Sequence, residues 1–242
     1  MGCPNVPANL QRLVRQLLPL LFLLALLVVV QAVCAAATAM DPTGERPQWV
    51  RFGGVLPRDS GHLSGILLHF LFHSSWTHLF HNGTPLAVAS TAILLTDGQA
   101  VYAAAVFLSV LSTGLTTWLA GEVGHMAIGA SGLVFGLLGF LITSGFARKT
   151  ARTLCVAIIT AVTFSGSLWG MLPFRGSNRM TWLGHAAGFV GGAAAAYLTA
   201  LHRAGKSHPA GVISSSSSSS NGQGKDWMDT YGPVKDGPRF TV

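Results

Sequence analysis

The sequence predicts an all-α membrane protein, a bundle of six transmembrane helices with an interfacial helix in one exterior loop, and three observations predict it. Half of the 242 residues are hydrophobic and only 10% are charged, with a mean hydropathy of +0.51, which soluble domains do not show. Six apolar runs approach the roughly 20 residues that a helix needs to cross a hydrocarbon core. Most basic residues fall in the links that flank those runs.

The first run, Leu17 to Ala39, follows Arg12 and Arg15, which makes residues 1–16 a cytoplasmic N-terminus. Arginines, an apolar run and Ala37-Thr38-Ala39 also describe a cleavable signal peptide, but this run exceeds the roughly 7–15 residues of such a core, so a retained span is preferred. An exterior loop, residues 40–76, comes next, and its amphipathic stretch His62 to Phe72 is too short to cross and reads as a helix lying in the interface. Spans then follow at Thr77 to Thr96, Val101 to Ala120, Ser131 to Ala147, Leu154 to Met171 and Trp182 to Leu201, completing a membrane domain over 17–206. Residues 207–242 change character. Seven consecutive serines, Ser214 to Ser220, followed by polar residues, cannot bury enough apolar surface to order themselves, so a disordered cytoplasmic tail is expected. There is no internal repeat.

The net charge of +7 reports orientation rather than nucleic acid, because the cations sit at span ends and not in one patch with interleaved aromatics. Arg12, Arg15, Arg148, Lys149, Arg152, Arg203 and Lys206 fall on one side by parity, which puts both termini in the cytoplasm; Arg46, Arg51, Arg58, Arg175 and Arg179 on the other side are accompanied by four acids. Cys3, Cys34 and Cys155 have no metal-site spacing, and packing is the expected role of Cys34 and Cys155.

Two strings carry the chemistry: Gly129-Ala130-Ser131-Gly132 at the start of the fourth span, and Gly184-His185-Ala186-Ala187-Gly188 at the start of the sixth. The chain goes in through the fourth span and out through the fifth, so Ser131 and His185 share a depth on the exterior side. A serine hydroxyl is a poor nucleophile until a neighbouring base takes its proton, and neutral imidazole is the base matched to neutral pH. His78 and Asn82, spaced i, i+4, project from one helix face and could donate to the oxyanion of acyl transfer, as could the main-chain N–H groups at the helix start around Ser131. No acid lies within a predicted span, so the constellation is a Ser-His dyad. Packing is the competing reading, since Gly132-xxx-Gly136 and Gly188-xxx-Gly192 fit the small-xxx-small pattern; an intramembrane histidine is costlier and points to function. His69, His73, His78 and His81 include zinc-like spacings, but no carboxylate or cysteine accompanies them, so no metal is predicted, and hydrogen bonding to structure is expected of His69 and His73. His81 and His125 are unassigned.

Those strings, together with His73-Ser74-Ser75-Trp76-Thr77-His78-Leu79-Phe80-His81-Asn82, resemble the rhomboid family of intramembrane serine proteases in its six-span bacterial form, over roughly Ser60 to Leu201. The resemblance implies Ser131 as nucleophile, His185 as general base and later acid, and His78 and Asn82 as oxyanion stabilisers, with Gly129, Gly132, Phe135 and Gly188 supporting the site. It implies single-span membrane proteins as substrates, cut in or near their spans at small residues, and no cofactor. Two positions depart from the family pattern. Leu63-Ser64-Gly65-Ile66 stands where many members carry a Trp-Arg pair, and Phe135 stands where a tyrosine often stacks on the catalytic histidine.

The rival from another class is an inactive rhomboid-like protein that binds and escorts or retains membrane proteins; such relatives typically lack the serine or the histidine, and both are present here. A channel or transporter predicts ionisable residues at mid-membrane depth, and acids and strong bases are absent from these span cores. With no long Arg- and Ser-rich presequence, the expected location is a bacterial plasma membrane, and beyond substrate the partner is the lipid bilayer, not nucleic acid.

Overall fold

The computed structural model describes residues 7–41, 50–173 and 179–207, and over them the regular structure is helical except for one isolated bridge. In chain order the helices are α1 (Ala8–Met40), α2 (Val50–Gly53), α3 (Gly65–Leu68), α4 (Trp76–Asp97), α5 (Gln99–Ala120), α6 (Ser131–Arg148), α7 (Ala151–Thr163), α8 (Ser165–Leu168) and α9 (Arg179–Ser207). The serine-rich tail expected from the sequence lies outside the described residues.

Local chemistry sets the helix ends. The Ser75 hydroxyl accepts the His78 N–H at 3.1 Å and caps α4, and Thr150 caps α7 through the Thr153 N–H at 3.2 Å, each satisfying a donor that a helix start leaves unpaired. Gly98, at φ +86°, takes a positive-φ conformation open to glycine, which closes α4 and lets α5 begin at once. Arg58 closes the other end of α5: its guanidinium donates to the carbonyls of Leu119 at 3.2 Å and Gly121 at 3.0 Å, where last-turn carbonyls favour a cation.

α1, α5 and α6 are long and apolar enough to cross a membrane, and α7 with Ser165–Met171 makes a fourth if the pair is one span. α4 and α9 have 22 and 29 residues, enough length at about 1.5 Å per residue, but His78, His81 and Asn82 in one and His185 and His202 in the other lower their hydropathy. Two expectations are corrected. The run Leu154 to Met171 is not one straight helix but bends by 72° at Phe164, where serine and glycine, weak helix formers, cluster over 165–170. The stretch His62 to Phe72 is not one amphipathic helix either; it consists of a 3₁₀ turn at Ser60–His62, the four-residue α3 and a second 3₁₀ turn at His69–Leu71. Close backbone approach accounts for that irregular path, since a Cβ on Gly65 would overlap the Gly54 carbonyl and one on Gly114 of α5 would overlap that of Ile66.

α6 is the centre, with every side chain from Gly132 to Leu141 buried, and it packs on α4, α5, α7 and α9. A Cβ on Gly188 would overlap the Gly132 carbonyl oxygen and one on Gly192 that of Gly136, so the two small-xxx-small motifs face each other and let the α6 and α9 backbones touch. At the far ends of these helices, Asp97 of α4 pairs with Arg148 of α6 and, at 3.0 Å, with Arg203 of α9. Its side chain is 2% exposed. One buried carboxylate therefore ties together the ends of α4, α6 and α9.

Candidate active site

The bundle end opposite Asp97 brings Ser131 and His185 together. Ser131 is the first residue of α6 and His185 lies two turns into α9, and the glycine contacts between these helices hold Ser131 Oγ 2.9 Å from His185 Nε2. The other ring nitrogen, Nδ1, lies 3.1 Å from the Gly170 carbonyl. A carbonyl only accepts, so Nδ1 carries the proton and Nε2 presents its lone pair to the serine hydroxyl, the tautomer a base requires. The bend after α7 delivers that carbonyl. Phe135, one turn after Ser131, stacks on the imidazole at a centroid distance of 4.1 Å and 19° between planes, so the ring contact is made without a tyrosine hydroxyl.

His78 and Asn82 of α4 flank the same place. Gly129 adopts φ +121°, where a side chain would be strained, and a Cβ there would stand 2.9 Å from His78 Cε1, 3.0 Å from Nε2 and 3.7 Å from Asn82 Nδ2. The Ser74 main-chain N–H donates to His78 Nδ1 at 3.4 Å and its hydroxyl lies 2.9 Å away. Nδ1 is thus the acceptor and Nε2 carries the proton, a donor placed beside Gly129. Asn82 Nδ2 is buried with no hydrogen-bond partner among the described residues. Two side-chain donors therefore converge two residues before Ser131. Ser74, which sets the His78 tautomer, and the Gly170 carbonyl are the contributors that sequence reasoning missed.

A cavity of about 250 Å³ joins Ser131, His185 and His78, and His69, Thr113 and His125 also line it. His125 is exposed at the rim, whereas His81 is exposed on α4 away from the cavity. Thr113 of α5 donates to the Gly184 carbonyl at 3.3 Å and fixes the turn before His185. The loop before Ser131 is pinned by the two-way pairing of Val55 with Ala127, at 2.9 and 3.0 Å, and by the Gly129 N–H on the His69 carbonyl at 2.9 Å. Among the described residues no group of three or more histidine, cysteine or acidic side chains is arranged to hold a metal.

His69 and His73 make the backbone bonds expected of them. His69 Nδ1 donates to the Gly65 and Ile66 carbonyls at 3.1 and 3.2 Å, and its buried Nε2, on a residue that lines the cavity, has no hydrogen-bond partner among the described residues. His73 Nε2 accepts the Ala130 N–H at 3.2 Å, directly before Ser131. Each is 3% exposed. Burial pushes the His69 imidazole down to about 4, and burial, reinforced by the charge of His78, pushes His73 down to about 4. The unfolded chain titrates near 6.5, so below that pH it binds protons that the folded state refuses, and stability is full above pH 6.5 and lost as pH falls toward 4. Thermal unfolding in detergent should show that loss, on the order of 1 kcal/mol per pH unit for each histidine, and His69→Gln should remove about half of it; an unchanged slope in the variant would contradict the assignment.

The family model described as "Rhomboid domain" matches residues 60–202. An uncharacterized protein of Mycobacterium tuberculosis is 34% identical over 172 residues, covering 64% of this chain and 71% of that one, and one from Mycobacterium bovis matches to the same extent. An uncharacterized protein of Mycobacterium leprae is 34% identical over 143 residues, 56% of each chain.

Proposed function

Given that the chain belongs to the rhomboid family, we propose that it is an intramembrane serine endopeptidase that cleaves membrane-embedded segments of single-span proteins with a Ser131–His185 dyad. The single observation that carries this reading is the 2.9 Å contact from Ser131 Oγ to an imidazole whose other nitrogen is held by a carbonyl. In the proposed reaction Nε2 takes the hydroxyl proton as Oγ attacks the peptide carbonyl. The proton then passes to the leaving amine, and a water activated by the same nitrogen hydrolyses the acyl-enzyme. The oxyanion is received by His78 Nε2–H, the Asn82 amide and the free N–H groups at the start of α6. Substrate backbone must leave its helix to reach this site, because an intact helix keeps its carbonyls hydrogen-bonded within itself.

The proposal includes six crossings, with α4 and α9 as spans whose hydropathy is lowered in part by His78, Asn82 and His185 of the site, and an orientation with both termini in the cytoplasm. The basic groups Arg148 and Arg203 meet Asp97 at the end opposite Ser131, and α1 joins that same end where Gln99 bonds the Arg15 carbonyl. Cations collect on the cytoplasmic side of membrane proteins. A bacterial plasma membrane is the proposed location.

The test is cleavage of a panel of single-span reporters in proteoliposomes. Wild-type protein is expected to cut at least one reporter and Ser131→Ala none, with equal thermal stability. Cleavage by Ser131→Ala would overturn the dyad, and reporter binding without cleavage by either protein would favour an escort role instead.

A further inference from the structure

A second cavity shares no lining residue with the one at Ser131 and His185. α1 and α5 are separated by a groove of about 520 Å³, lined by Pro19 and Leu23 of α1, Phe70 from the turn before α4, and Tyr102, Val106 and Phe107 of α5. Its floor is firm, with Tyr102 4% exposed and its hydroxyl accepting from Ser90 at 3.1 Å. An open apolar slot between two helices of a membrane protein is filled by hydrocarbon.

The mouth of the groove names which hydrocarbon. Arg12, Arg15, Pro19 and Leu23 follow one another at i+3, i+4 and i+4, so the two arginines continue along the α1 face that lines the slot. Both side chains are exposed, and neither has a carboxylate partner among the described residues. Gln99, itself at the groove, donates to the Arg15 main-chain carbonyl at 2.7 Å, and Gln16 donates to the Leu94 carbonyl, so this turn of α1 is anchored beside α5. Two exposed arginines therefore precede, on one face of α1, the residues that line an apolar slot.

We propose that this groove holds an anionic phospholipid, its phosphate on Arg12 and Arg15 and one acyl chain between α1 and α5, in the leaflet remote from Ser131. The guanidinium is suited to the phosphate because its donors match two oxygens at once. A zwitterionic lipid would fill the slot as well but gain less at the mouth. The occupant would complete the contact between α1 and α5 and steady α1 against the bundle.

The test is native mass spectrometry of the full-length protein in detergent, titrated with phosphatidylglycerol or phosphatidylcholine. Wild-type protein is expected to retain one phosphatidylglycerol in preference to phosphatidylcholine by at least tenfold, since each arginine near an anionic surface contributes about fivefold. The R12Q/R15Q variant should bind the two lipids alike. Ala103 is exposed where α5 lines the slot, so Ala103→Trp should fill it and lower retention of both lipids while the protein still melts as wild type. Equal binding of the two lipids by wild type, a preference that survives R12Q/R15Q, or retention undiminished by Ala103→Trp would each overturn the proposal.

Discussion

Replacing His185 by alanine should lower turnover by about 10⁴ to 10⁶ while the protein remains folded. The side chain that is removed makes one bond to Ser131 Oγ, at 2.9 Å, and one to the Gly170 carbonyl, at 3.1 Å. Neither holds two helices together on its own, because the α6–α9 interface is built from the glycine contacts at Gly132, Gly136, Gly188 and Gly192. What disappears is the acceptor for the serine proton, without which the hydroxyl is a weak nucleophile at neutral pH. Loss of turnover with an unchanged melting temperature is the expected result in proteoliposomes. Retained turnover would mean that His185 is structural and that its contact with Ser131 is a packing hydrogen bond.

Asp97→Asn should be the most destabilising single change at the other end of the bundle, at about 3 to 5 kcal/mol. The carboxylate is 2% exposed and the Arg148 side chain 10% exposed, so the substitution leaves a buried guanidinium without its counter-ion. Arg203, 46% exposed, can turn toward water and adds less. A buried pair is costly to break and can be nearly neutral to replace by well-packed apolar groups. The companion variant D97L/R148M should accordingly recover a large part of the stability lost in Asp97→Asn. Chemical denaturation in mixed micelles measures both; an Asp97→Asn protein as stable as wild type would show that the pair contributes nothing to holding α4, α6 and α9.

The legible parts of this molecule are those where residue type and period speak together. Ser131 and His185 stand out because polar groups inside apolar runs are costly and because span parity puts them at one depth, and the structure places them in hydrogen-bond contact. Gly132 and Gly188 were open to a packing reading and a site reading, and the geometry shows that close packing is the means by which serine and histidine meet. The Gly170 carbonyl was not legible, since every residue has a carbonyl and its placement depends on a 72° bend inside an apolar run that composition reads as one helix. Asp97 does not stand out in the sequence, because it falls one residue beyond a span edge, where acids are ordinary; only its neighbours make it a buried anchor. Arg58 reads from the sequence as one more exterior cation, and only the fold brings its guanidinium to the Leu119 and Gly121 carbonyls at the end of α5. The polarity of α4 and α9 has the opposite effect on legibility, since the groups that mark the site also lower the hydropathy by which crossings are recognised.

The most direct measurement is covalent labelling of the purified, detergent-solubilised protein with a fluorophosphonate probe, which reports an activated serine without a known substrate. Labelling of wild type, mapped to Ser131 and lost in both Ser131→Ala and His185→Ala, is the result predicted by the Oγ to Nε2 geometry. A folded wild type that takes no label, or labelling that persists in His185→Ala, would contradict the claim that this pair is a nucleophile and its base.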